Sequence, residues 1–266
     1  MTTDLRTGVA AGVPYVLRAP ADERADAPVV LAWHLMDAPR TEAAFAAALP
    51  LEGLDAWRIY FGLPLCGSRS PGDEEVMRLA FADPVLQMHD PVNAGAVAEL
   101  PAAFAAVRAE HGIGDGPVGV LGGSAGAGVA GGVALAGDVP VRAAVLVSPL
   151  IQLRPAVTYL GRVFGRPYDW TPESDAVADR MDLVARADEF GDLPVRAIVG
   201  EEDDADAFLH PAQALARALP AGDVVTVPGM GHALAEEPGL EPAPQTPHAA
   251  EVDAHAVAWF RQHLGA

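Results

Sequence analysis

Residues 117–137 read PVGVLGGSAGAGVAGGVALAG, and the two parts of this stretch ask for different backbones. The first five residues form an apolar run of strand length, while the Ala- and Gly-rich remainder suits a buried helix. At the junction, Gly122-Gly123-Ser124-Ala125-Gly126 sets a serine in a G-x-S-x-G frame. A strand that turns sharply into a helix at such a serine pushes its hydroxyl out above a sheet, and the flanking glycines let helix and strand cross without Cβ collisions. Ser124 is therefore the candidate nucleophile. The stretch is uncharged, but glycine and alanine make it too weakly apolar for a membrane span, so strand, turn and helix is the better reading.

Outward from this point, strand-like and helix-like runs alternate. Residues 28–34 (PVVLAWH), 57–63 (WRIYFGL), 141–147 (VRAAVLV), 195–199 and 224–227 are short apolar runs suited to strands buried on both faces. Between them, residues 40–49 and 93–111 are Ala-rich and helical in pattern, with Pro101 expected to kink or split the second. The final helix, residues 249–264, places Val252, Ala256, Trp259, Phe260 and Leu264 on one face. Residues 8–18 suit a hairpin at the sheet edge, and Thr171-Pro172-Glu173 opens a helix running toward Phe190. The expectation is an α/β fold, a mostly parallel sheet flanked by helices on both faces, in one domain over residues 1–266. Residues 64–91 and 149–172 carry few strand signals and are expected to be irregular, lid-like insertions covering the active site.

Composition narrows the chemistry. The formal net charge of −19 argues against nucleic acid or an anionic membrane as partner. All 17 basic residues are arginine, so Schiff-base chemistry, a lysine-bound pyridoxal cofactor and a Walker-type phosphate loop are excluded. One cysteine, Cys66, rules out an internal disulfide or a cysteine-rich zinc site. No histidine pair has metal-site spacing, and neither metal nor cofactor is expected. The opening MTTDLRTGVAAGVPYV has no basic stretch ahead of an apolar block, which points to a cytoplasmic protein. A homo-oligomer is compatible with the sequence.

A serine hydroxyl attacks only when a base takes its proton, usually a histidine. His232 follows the last strand-like run in the Gly-rich segment Pro228-Gly229-Met230-Gly231-His232, where it can swing over the sheet edge; His89, in a Pro-bounded loop, is the rival. The base needs an acid to hold its tautomer. The strand at 195–199 leads into Gly200-Glu201-Glu202-Asp203-Asp204, and Asp203 is the choice there.

The order Ser124, Asp203, His232, each after a strand, resembles the α/β-hydrolase superfamily from about residue 28 onward. The resemblance implies a cofactor-free serine hydrolase of the esterase, thioesterase, dienelactone-hydrolase or prolyl-oligopeptidase-like range, acting on a small-molecule acyl substrate. It also implies an oxyanion hole of two backbone N–H groups. Ala125 supplies the first. The second comes from a His-Gly turn after an early strand; this chain reads Trp33-His34-Leu35-Met36, with leucine in the glycine's place, and Met36 is the expected donor.

His34, Leu35, Tyr159, Phe164 and Trp170 are the expected pocket residues, with Met77, Phe81 and Met88 in the other insertion. Small cores beneath the insertions are an equally good reading of these aromatics. Arg69, Arg154, Arg162 and Arg166 are candidates to meet an anionic substrate group. Gly126 to Gly131 also fits G-x-G-x-x-G, but the next strand ends in Ser148-Pro149, not in the acid a dinucleotide site needs. Ester, thioester and amide hydrolysis stay open, as does a non-catalytic ligand-binding protein on the same fold.

Overall fold

A computed structural model describes residues 5–266. β1 (Leu5–Ala10) and β2 (Val13–Arg18) form an edge hairpin whose two-residue turn has positive φ at Ala11 and Gly12. That turn twist matches the twist of paired strands. β3 (Val29–Trp33), β4 (Trp57–Phe61), β5 (Val118–Gly123), β6 (Val141–Val147), β7 (Val195–Gly200) and β8 (Gly222–Val227) follow. They join one eight-stranded sheet in the order β1-β2-β4-β3-β5-β6-β7-β8. β1–β2 and β2–β4 pair antiparallel, and every other pairing is parallel. The sheet is mostly parallel, as the alternating pattern requires.

Strand periodicity sorts the core into two layers. Val29, Leu31 and Trp33 of β3 face one side, with α3 (Asp90–His111), α4 (Ala125–Ala136) and α7 (His210–Ala218) packed on it. Val30 and Ala32 face the other, covered by α1 (Glu42–Ala48) and α8 (Pro247–Leu264). Val252, Ala256, Trp259, Phe260 and Leu264 of α8 are all buried there. Burying each large apolar side chain contributes roughly 1.5–3 kcal/mol, so the two layers hold the strand ends, and whatever they carry, in fixed relation.

Four features depart from the sequence reading. α3 begins at Asp90 and runs through Pro101 unbroken. Proline lacks only its own N–H, and Val92, Leu100, Phe104 and Val107 stay buried along the helix, outweighing one lost bond. The insertions are largely helical: α2 (Asp73–Ala82) and a π-helical turn Val85–His89 in the first, α5 (Leu153–Val163) in the second. Leu153, Ala156 and Val157 of α5 form a satellite core with Val85, Val177 and Met181, so tertiary burial overrides the Gly and Pro signals. α6 (Pro172–Arg180) starts at a Thr171 capping box and stops well short of Phe190. α7, with the π-helical turn Ala205–Leu209 before it, follows the acidic segment after β7 and was unforeseen. No helix among the described residues is long and apolar enough to cross a membrane.

Candidate active site

Ser124 lies between the end of β5 and the first residue of α4, with φ 48° and ψ −114°. A non-glycine residue in this region carries about 1–3 kcal/mol of strain, held in place by its surroundings. The Ser124 N–H donates to the Val147 carbonyl at 2.9 Å, and its carbonyl accepts from Leu150 N–H at 3.2 Å, which ties the turn to the end of β6. A Cβ at Gly122 would collide with the Gly126 carbonyl, and one at Gly126 would collide with the Trp33 carbonyl. Both glycines are thus required by close backbone approach. Gly128 and Gly131 sit inside α4 rather than ahead of it, which removes the phosphate-binding geometry of a dinucleotide fingerprint.

The structure brings His232 and Asp203 to this hydroxyl. His232 Nε2 lies 2.9 Å from Ser124 Oγ, and its Nδ1 lies 2.8 Å from Asp203 Oδ2. The Asp203 side chain is 2% exposed and its other oxygen accepts the Asp204 N–H at 2.9 Å. An ionised carboxylate only accepts, so Nδ1 of the neutral ring carries the proton and Nε2 is left to accept from the serine. Two backbone bonds hold the loops together: Glu201 N–H to Val227 O at 2.9 Å and Glu202 N–H to Met230 O at 2.8 Å. His89, by contrast, closes the π-helical turn at the head of α3.

Phe208, not singled out in the sequence, packs on the His232 ring with centroids 4.3 Å apart, and Tyr159 meets Phe208 edge-on at 6.0 Å. Phe208 belongs to the π-helical turn Ala205–Leu209, so no helical or strand period marked it.

His34 and Leu35 do not line an open pocket: both are 0% exposed. His34 Nε2 accepts the Leu63 N–H at 3.1 Å, and its Nδ1–H donates to the Leu35 carbonyl at 2.7 Å, pinning the turn after β3 to the end of β4. Burial pushes the His34 pKa down to about 4, with the Leu35 carbonyl opposing in part. The Leu35 side chain turns inward against Gly123, where a Cβ would collide with it, and lies in the core with Phe45. The next residue, Met36, is partly buried at the turn. Ala125 is the first residue of α4, so its N–H has no intrahelical partner.

Phe164 and Trp170 lie elsewhere. Phe164, 68% exposed, lines a cleft of about 380 Å³ between α2 and α5 with Met77, Phe81, Leu160 and Tyr168. Trp170 and Tyr168 line an adjoining hollow, and they also pack on the satellite core. Neither cleft is lined by Ser124, Asp203 or His232. The arginines are largely occupied: Arg69 pairs with Glu99, Arg154 with Asp175 and Asp179, Arg162 with Asp204, and Arg166 lies over the Phe81 ring. Paired guanidiniums are poor anchors for a substrate anion. Among the described residues, no group of three or more His, Cys, Asp or Glu is arranged to hold a metal ion.

No protein-family model and no curated protein matches the sequence. Solved structures do match its fold. TT1662 from Thermus thermophilus is similar over 100% of both chains, with 20% identity and a TM-score of 0.67. A dienelactone hydrolase from Anabaena variabilis matches over 99% of this chain and 100% of its own, at 17% identity and a TM-score of 0.58. The esterase domain of a Rhodothermus marinus protein matches over 100% of both, at 17% identity and a TM-score of 0.60. At such identities the likeness is one of architecture, and the chain has the α/β-hydrolase fold.

Proposed function

We propose that the protein is a serine hydrolase that cleaves a carboxylic ester, or a related acyl bond, through an acyl-enzyme. The observation that carries this reading is His232, whose two ring nitrogens meet Ser124 Oγ at 2.9 Å and Asp203 Oδ2 at 2.8 Å. Ser124 Oγ attacks the acyl carbon while its proton passes to Nε2. Asp203 keeps the proton on Nδ1 and stabilises the imidazolium that forms. The tetrahedral oxyanion is assigned to the N–H groups of Ala125 and Met36, where each donor contributes about 10²- to 10³-fold. The imidazolium then protonates the departing oxygen, and a water deprotonated by Nε2 releases the acid. Every proton has a carrier among these side chains.

Segments 64–91 and 149–172 are assigned the walls of the substrate site, the second reaching the base through Tyr159 and Phe208. The esterase and the dienelactone hydrolase among the similar structures support acyl chemistry on this fold. A panel of p-nitrophenyl esters, acyl thioesters and aminoacyl anilides tests the reading, with Ser124→Ala as control. Turnover of esters that disappears in the variant is expected. Turnover of anilides alone would make the protein a peptidase instead, and turnover of none would favour a ligand-binding role.

A further inference from the structure

A second carboxylate faces the same imidazole. Asp37 follows Met36 in the loop between β3 and α1, and its Oδ2 lies 3.7 Å from His232 Nε2, the nitrogen that also meets Ser124. Its side chain is 53% exposed, whereas that of Asp203, on the other nitrogen, is 2% exposed. The loop is fixed relative to the histidine, because the adjacent Ala38 carbonyl accepts the Leu234 N–H at 3.0 Å from the chain just beyond His232. Arg40, three residues further on, is spent on another acid: its Nη2 donates to both carboxylate oxygens of Glu237, at 2.9 and 2.8 Å. Among the described residues, His232 is the basic side chain that the Asp37 carboxylate approaches, a contact that becomes an ion pair only when the ring gains its second proton.

Position assigns this charge a consequence. In the hydrolase reading, Nε2 must come within about 3 Å of the leaving-group heteroatom to protonate it. A carboxylate beside that nitrogen is therefore a few ångströms from the leaving group and open to whatever the leaving group carries. Resting on that reading, we propose that Asp37 is a specificity determinant that favours substrates whose leaving group bears a positive charge, such as esters of quaternary or primary amino alcohols. A cation two or three bonds beyond the heteroatom can approach the carboxylate, and at about 5 Å in a half-exposed setting the attraction amounts to about tenfold in kcat/KM.

The test compares two esters of one acyl group, with choline and with 3,3-dimethylbutanol, which differ only in a quaternary nitrogen replacing a carbon. At low salt, the native protein is expected to favour the choline ester about tenfold in kcat/KM, Asp37→Asn to bring the ratio close to one, and Asp37→Glu to keep most of the preference. Salt at ~0.5 M should compress the native ratio and leave that of Asp37→Asn unmoved. The salt series needs no variant to fold. A native ratio near one, or a ratio unchanged in Asp37→Asn, overturns the proposal.

Labelling by a fluorophosphonate keeps the two levels apart. If Ser124 is labelled and neither ester turns over, the same ratio is read from protection of Ser124 by the two free alcohols. If Ser124 is labelled and no preference is found, Asp37 loses its role and the hydrolase reading stands. If Ser124 is inert and neither ester is cleaved, the hydrolase reading fails and takes this one with it.

Discussion

The Leu35 side chain lies against Gly123, in the space that the glycine's missing Cβ leaves open. This relationship explains how a turn that carries leucine where a glycine was expected still closes behind Ser124. Gly123→Ala forces the leucine outward, so we expect a loss of about 1–3 kcal/mol in urea stability and a fall in activity. Leu35→Ala alone leaves a cavity costing about 2–5 kcal/mol. The double variant should be more stable than the sum of the two losses implies, by about 1 kcal/mol or more. Strict additivity would mean the two residues do not compete for space.

Asp203→Asn removes the acceptor that keeps the His232 proton on Nδ1. Asparagine can turn its NH₂ toward the ring and favour the opposite tautomer, so kcat on a good ester should fall about 10⁴-fold with the fold intact. A loss of less than tenfold, in protein of native circular dichroism, would remove Asp203 from the mechanism.

Acid should weaken the fold through His34. Its pKa is pushed down to about 4 in the folded protein by burial, against an ordinary 6.5. Between those values the unfolded chain binds a proton that the native state refuses. The stabilisation is therefore complete above pH 6.5 and lost as pH falls toward 4. From pH 7 to pH 5 this one group accounts for about 2 kcal/mol. Urea midpoints over that range should show a shallower fall in His34→Gln than in the native protein. Parallel slopes would place the acid sensitivity in other groups.

Phe208 holds the face of the His232 ring. Phe208→Ala frees the imidazole to tilt away from Ser124, and kcat should drop about tenfold or more, since misplacements of an ångström are costly. Phe208→Leu should restore most of it. An unchanged kcat in the alanine variant would show that the hydrogen bonds alone orient the ring.

Legibility in the sequence followed physical range. The parallel sheet was readable because β3 and β5 are buried on both faces and appear as unbroken apolar runs, and Ser124 because its turn imposes glycines on neighbouring positions. Asp203 and His232 could be placed by chain order after strands. Phe208 and Asp37 could not, since each gains meaning only when a loop from another strand brings the same imidazole to it. His34 was misplaced for a related reason: a polar residue at a strand end looks solvent-facing until the Leu63 N–H and the Leu35 carbonyl satisfy it inside. The helices of the two insertions form against a satellite core shared by distant segments, which local pattern does not contain.

Activation of the Ser124 hydroxyl by His232 is the step on which the proposed hydrolysis depends. Treatment with a fluorophosphonate, followed by peptide mass spectrometry, reads it directly. One adduct on Ser124 is expected, absent in Ser124→Ala and formed far more slowly in His232→Ala. Well-folded protein that stays unmodified at Ser124, or that labels equally fast without His232, would contradict the account.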